Sequence, residues 1–313
     1  MVIGKEHGAV KKVTIYEVGP RDGFQNQKKW IETKDKLEII DRIVQSGVKS
    51  IQITSFMSPK AFPQTADAAE IAETCLKRYH QLTLSALVPN LRGADRAVAA
   101  GLRRIFCVAS LSETHNLRNI NRTHEQSMRE FLELREKYPD IHITLDLATA
   151  FGCPFEGKKE TEEACTFAKA YVEAGIDEID LCDTIGIADP GQVRQLIAAM
   201  KAEFPQLPLQ VHIHDTRNMG MVNTLAAIEA GVDTVQSTLG GLGGCPFAPG
   251  ASGNLATEDL LFMLDGMGYE TGVDFAQLLA AARVERQLLG EGNFSGHQLQ
   301  IETSSCAFVN EHK

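Results

Sequence analysis

The sequence predicts an α/β chain folded as a (β/α)8 TIM barrel with a short C-terminal extension. Three observations carry this. Apolar, β-branched runs recur eight times along the 313 residues. Longer stretches with helical spacing lie between them. Several of those stretches stop at a glycine just before the next run, at Gly47, Gly101, Gly175 and Gly231, as helix C-termini do. Eight alternating units in about the usual length favour closure over an open doubly wound sheet.

In chain order, the first run is Val13–Gly19, followed by a glycine–proline turn that holds Arg21 and Asp22. Helical spacing over Thr33–Ser46 leads into the second run, Val48–Phe56. The third and fourth are Leu82–Val88 and Leu102–Ser110, and a helix over His124–Tyr138 follows. The fifth, Ile141–Ala148, precedes a helix over Thr161–Ala174. The sixth, Glu178–Thr184, precedes one over Pro190–Phe204. The seventh, Leu209–Asp215, precedes one over Asn218–Ala230, and Thr234–Gly240 is the eighth. Two last helices, Thr257–Gly266 and Asp274–Leu289, follow it. One catalytic domain therefore spans 13–289. The tail, 290–313, has few apolar residues and reads as a lid, an interface arm or a partly disordered end.

Composition narrows the function. The chain is 43% hydrophobic and 23% charged, with a net charge of -10, as in an ordinary soluble protein. No basic patch recommends nucleic acid as a partner. No apolar run approaches the ~20 residues of a membrane helix, and Met1–Lys12 lacks an apolar signal core. Seven cysteines without a framework fit a reducing compartment, so the expected location is cytoplasmic. Of these, Cys75, Cys107, Cys165 and Cys182 read as core thiols.

Active sites of such barrels sit at the C-terminal ends of the strands, and there the unusual polar residues collect. Arg21 and Asp22 follow the first strand; Gln52, Thr54 and Ser55 lie on the second. Asp180 and Asp183 lie on the sixth, His212 and His214 on the seventh. Histidines at i and i+2 share one face of a strand. Neutral imidazoles on one face, with Asp22 adding oxygen, suit a divalent Lewis-acid metal. Taken singly, His212 also fits a satisfied core histidine, Asp183 the cap of a short turn, and Asn254 the cap of the helix near Thr257.

Several motifs resemble those of the hydroxymethylglutaryl-CoA lyases. They are Glu17-Val18-Gly19-Pro20-Arg21-Asp22-Gly23-Phe24-Gln25-Asn26, Thr54-Ser55-Phe56-Met57-Ser58-Pro59-Lys60, Asp183-Thr184-Ile185-Gly186, Val211-His212-Ile213-His214-Asp215-Thr216 and the stretch from Gly240 to Leu260. The resemblance runs from about Val13 to Leu289. It implies a metal-dependent lyase that cleaves 3-hydroxy-3-methylglutaryl-CoA to acetyl-CoA and acetoacetate. It also implies Mg2+ or Mn2+ held by Asp22, His212, His214 and Asn254. Arg21 then stabilises the enolate, Cys245 on a mobile loop exchanges a proton with the enolate carbon, and Asp183 and His212 serve the catalytic proton transfers. Gln25, Gln52, Ser55, Arg118, Asn119, Asp180 and Arg217 are the wider substrate-binding candidates, and a homodimer is expected.

Three positions depart from that family. It generally carries glutamate where Gln52 stands, serine where Asp180 stands, and Tyr-Gly-Gln where Arg217-Asn218-Met219 stands. Such changes suggest a related substrate such as citramalyl-CoA, with Arg217 meeting its carboxylate or pairing with Asp180. A Claisen-type synthase and a non-catalytic acyl-CoA-binding relative are the other classes. Synthase relatives usually add a C-terminal regulatory domain, for which few residues follow the barrel here. A mere binder need not keep Arg21, Asp22, Asp183, His212, His214, Cys245 and Asn254 together.

Overall fold

A computed structural model describes residues 11–244, 253–290 and 293–301. Eight parallel strands close on themselves. They are β1 (Thr14–Glu17), β2 (Ser50–Ser55), β3 (Thr83–Val88), β4 (Arg104–Ser110), β5 (His142–Ala148), β6 (Glu178–Asp183), β7 (Leu209–Ile213) and β8 (Thr234–Ser237). Each pairs with its chain neighbours, and β1 closes the ring on β8 with Thr14 opposite Thr234. The predicted runs all became strands, a residue or more shorter at most ends because turns claim the flanks.

Among the described residues, ten α-helices cover the barrel: α1 (Thr33–Gln45), α2 (Ala68–Arg78), α3 (Leu91–Ala99), α4 (Glu113–Ile120), α5 (His124–Lys137), α6 (Thr161–Glu173), α7 (Pro190–Glu203), α8 (Gly220–Glu229), α9 (Thr257–Gly266) and α10 (Phe275–Leu289). The hydrophobic core lies between helices and strands. Ile39, Ile40 and Ile43 of α1 and Ile51 and Ile53 of β2 are fully buried there. The four anticipated glycines have φ between 95° and 101°, a region where a Cβ is strained.

The barrel interior is unusually polar. Alternation turns Thr144 and Asp146 of β5, Asp180 and Cys182 of β6, Gln210 and His212 of β7 and Gln236 of β8 inward. Tyr16 and Phe106 fill the lower part edge to face, 5.4 Å between rings, and the Tyr16 hydroxyl donates to Ser85 Oγ at 2.7 Å. The polar layer above them is the floor of the site.

The described part of the tail packs against the barrel. Gly296 N–H donates to Gly240 O at 3.0 Å, and Asp259 accepts from His297 N–H and Gln298 N–H at 2.8 and 2.7 Å. This strap backs the glycine turn that follows β8.

Candidate active site

The site is built from the turn after β1, the end of β7 and the segment before α9. Pro20 opens a wide helical turn over Gly19–Gly23. Its backbone anchors to Val18 O through Arg21 N–H and Asp22 N–H, at 3.0 and 2.8 Å. Both side chains therefore rise at the barrel mouth. Arg21 Nη1 donates to Asp22 Oδ1 at 2.6 Å, and Arg21 Nε donates to Gln52 Oε1. Gln52 thus holds the guanidinium through its amide oxygen without adding charge.

Asp22, His212 and His214 present ligand atoms that all lie within 4.8 Å of one another. The two histidine Nε2 atoms are 3.0 Å apart. Gln236 fixes the tautomer of His212. Its Nε2 donates to Asp180 Oδ2 and Gln210 Oε1, both at 3.0 Å. Its Oε1 must then accept from His212 Nδ1, at 2.9 Å. That leaves the His212 Nε2 lone pair turned toward His214, as a ligand requires.

Electrostatics agree. Burial pushes His212 down to about 3 and lowers His214 as well, so both rings are neutral. Burial works to raise Asp22, but Arg21, the two histidines and Asn254 outweigh it and hold the carboxyl below its usual value. Asn254 Nδ2 donates to Asp22 Oδ2 at 2.6 Å, while its Oδ1 is buried and has no donor among the described residues. Helix α9 is capped at Ala256 instead, so Asn254 is no helix cap. An orphan amide oxygen, a carboxylate and two neutral imidazoles fit a divalent cation. Gly243 lets the next loop pass this close. A Cβ there would come within 2.4 Å of Asn254 Nδ2.

These groups open on a cavity of about 170 Å3. Arg21, Asp22, His212, His214, Gln25 and Asn119 line it, as do Asp146, Cys182 and His115. Met57, Phe62, Leu87, Val108 and Ile120 make an apolar wall. The volume falls below the ~300–1,000 Å3 of a drug-sized pocket, so it suits a short acyl group, and any nucleotide must lie outside on the rim.

Residues 12–284 match the HMGL-like family. The chain belongs to that family. HMGL-like relatives include the hydroxymethylglutaryl-CoA lyase of Bacillus subtilis, 40% identical over 94% of this chain and 99% of its own length. The human mitochondrial hydroxymethylglutaryl-CoA lyase is 40% identical over 94% of this chain and 88% of its own. Among solved structures, the B. subtilis HMG-CoA lyase gives a TM-score of 0.88 at 40% identity, covering 93% and 97% of the two chains. An Acinetobacter baumannii HMG-CoA lyase in complex with coenzyme A and 3-methylmalate gives 0.88 at 38% identity, covering 96% and 97%.

Not every HMGL-like candidate residue reaches the cavity. Asp183 is fully buried. Its two oxygens accept from Ile187 N–H and Ala188 N–H, both at 3.0 Å. That is the turn-capping alternative, set by strand alternation, which turns Asp183 out where Cys182 points in. Arg217 is exposed, and its Nη1 donates to Ile185 O and Gly186 O at 2.8 and 3.2 Å. It meets neither the cavity nor Asp180, because Asp180 lies deep in the barrel with Gln236. Arg118 stacks over Phe155, 4.2 Å from the ring centroid, and does not line the cavity. Ser55 is buried and does not line the cavity, its Oγ without a partner among the described residues. Cys245 lies outside the described residues. Cys182 is no plain core thiol but part of the cavity wall.

Sequence reasoning missed Asp146, Gln236 and His115. An acid or amide on the inward phase of an apolar barrel strand was the available signal for the first two.

Proposed function

We propose that the chain is a divalent-metal-dependent lyase that splits 3-hydroxy-3-methylglutaryl-CoA into acetyl-CoA and acetoacetate. The observation that carries it is one cavity lined by Asp22, His212 and His214 beside a fixed guanidinium, with the Asn254 amide hydrogen-bonded to Asp22. The relatives named above support the same reaction. Asp22, His212, His214 and Asn254 would hold Mg2+ or Mn2+, which would supply Lewis-acid polarisation of the substrate's oxygens.

The chain's own residues supply the rest. Arg21, held by Gln52 and Asp22, places positive charge where the thioester oxygen becomes an enolate. Gln25 Nε2 donates to Asp22 Oδ1 at 3.3 Å and steadies that carboxylate. The apolar wall excludes water from the carbanion-like product. Asp183 sets the turn after β6 and is a positioning residue in this reading. Asn119 edges the cavity where the CoA body would emerge. Cys245, outside the described residues, takes the role the family resemblance implies, proton donor to the enolate carbon.

A shorter substrate is the second reading. The A. baumannii relative is bound to coenzyme A and 3-methylmalate, an acid with its carboxylate on the carbinol carbon. Citramalyl-CoA shares that arrangement and would give acetyl-CoA and pyruvate. Acetyl-CoA release from the two thioesters, offered side by side with Mg2+ or Mn2+, decides between them. Preference for hydroxymethylglutaryl-CoA supports the first reading, preference for citramalyl-CoA replaces it with the second, and release from neither overturns both.

A further inference from the structure

The cleavage needs a group that takes the substrate's hydroxyl proton, and the structure turns Asp183 away from the cavity. Another acid stands in its place. Asp146 on β5 sits opposite Asp180 on β6 in the strand register. An oxygen of each carboxyl and Cys182 Sγ all lie within 4.8 Å of one another. One oxygen of each, Asp146 Oδ1 and Asp180 Oδ1, is buried without any N–H or O–H donor among the described residues. Two carboxylates in contact repel unless a proton lies between them. Asp180 is anchored from behind, its Oδ2 accepting from Gln236 Nε2 at 3.0 Å and from Cys182 Sγ at 3.3 Å. Only Asp146 of the two lines the cavity, on the same wall as Arg21, His212 and Cys182.

We propose that Asp146 and Asp180 share one proton, and that Asp146 is the base that takes the substrate's hydroxyl proton. Asp180 is the positioning residue that orients it. This rests on the lyase reading above. The hydroxyl proton passes to the Asp146 carboxylate. The hydroxyl oxygen's electrons form the ketone C=O as the Cα–Cβ bond breaks, and that bond's electron pair becomes the thioester enolate. The enolate carbon takes a proton from the Cys245 thiol of the lyase reading. Product release then lets solvent recharge that acid and discharge Asp146.

The surroundings fit. Tyr16, Arg21, Asp22, Cys107, Glu178 and Cys182 are the titratable groups that face Asp146. Burial pushes the Asp146 carboxyl up to about 7, with Arg21 and the contact to Asp180 pulling the other way. Burial and the neighbouring Asp146 raise Asp180 further above its usual value. A base poised near neutrality is the efficient one. A metal ion in place of the proton is disfavoured by the Gln236 amide N–H aimed at Asp180.

The test compares Asp146→Asn, Asp180→Ala and Asp180→Asn with wild type, in kcat and KM against pH and in bound Mn2+. Asp146→Asn should lower kcat about 10²–10⁴-fold, the usual share of one acid–base group, with KM and Mn2+ stoichiometry held. Asp180→Ala should move the acid limb of the kcat profile to higher pH, since the contact that favours the Asp146 anion is gone. Asp180→Asn should restore the limb. In metal-free protein, the infrared carboxylic-acid band at neutral pH should lose intensity in Asp180→Ala.

Unchanged kcat in Asp146→Asn, or a change confined to KM, overturns the base. An unchanged infrared band overturns the shared proton, and so does a second Mn2+ equivalent lost only with Asp180. Should Asp146→Asn fail to fold, the Asp180 variants still decide through the pH limb. A wild type that cleaves no acyl-CoA overturns the lyase reading and the base with it. An active wild type with an active Asp146→Asn overturns the base alone.

Discussion

At the residue scale the site depends on orientation more than on the ligand set alone. Gln236 touches no substrate, yet it fixes which nitrogen of His212 is free. Partners of this kind shift metal affinity ~10–100-fold when removed. Gln236→Leu should therefore weaken Mn2+ binding by that factor in a titration, with the fold intact by circular dichroism. An unchanged affinity would show that the tautomer is set elsewhere. Arg21→Gln should lower kcat by about 10²–10³, the usual cost of one donor aimed at developing negative charge. Mn2+ binding should persist, because Asp22, His212 and His214 remain. The His-x-His pair was legible because strand periodicity puts two imidazoles on one face. Arg217 was misplaced because a residue just past a strand end is not bound by that periodicity. Its guanidinium found the carbonyls of Ile185 and Gly186 first.

At the scale of elements, the turns after the strands place the chemistry. The turn after β6 is tied by Asp183, which satisfies two buried N–H groups. Asp183→Asn replaces one acceptor with a donor and should cost about 1–3 kcal/mol, the usual penalty for an unsatisfied buried group. A Tm lowered by a few degrees, with Mn2+ stoichiometry unchanged, would bear this out. A collapse of kcat at unchanged Tm would instead make Asp183 a group that meets substrate. The eight strands were legible because buried parallel strands read as apolar runs. Helices α2, α3 and α4 were less so. They are short, with 11, 9 and 8 residues, and α3 carries Gly93 in its first turn, so its periodicity has few positions in which to show. The two-residue hairpin joining Gly152–Cys153 to Gly157–Lys158 has no periodic signal at all.

At the scale of the whole molecule, the barrel carries a second set of buried acids on its outer layer. Glu17 meets Thr257 and Leu239 there, and Glu258 accepts from Gly240 N–H at 2.9 Å, behind the strap formed by the tail. Burial pushes Glu17 up to about 7 and Glu258 up to about 8. A carboxyl raised in the folded state contributes stability that is complete below its unfolded value of ~4.5 and is lost as pH rises through the folded one. His212, lowered to about 3, acts on the other side: its share is complete above ~6.5 and is lost as pH falls toward the folded value. Metal-free protein should therefore lose Tm from pH 6 toward 8, as Glu17 and Glu258 pass through their folded values, while on the acid side the histidines and the raised carboxyls oppose each other. Glu258→Gln should flatten the alkaline slope only. An alkaline slope that the substitution leaves unchanged would place the loss in other groups.

The central claim is a single divalent metal at Asp22, His212, His214 and Asn254 serving carbon–carbon cleavage. Its most direct test is acetyl-CoA release from hydroxymethylglutaryl-CoA by metal-free protein as Mn2+ is titrated in. Release should be absent at the start, rise in proportion to added Mn2+ and level off at one equivalent per chain. Full release before any metal is added, or none at any Mn2+ concentration, would contradict it.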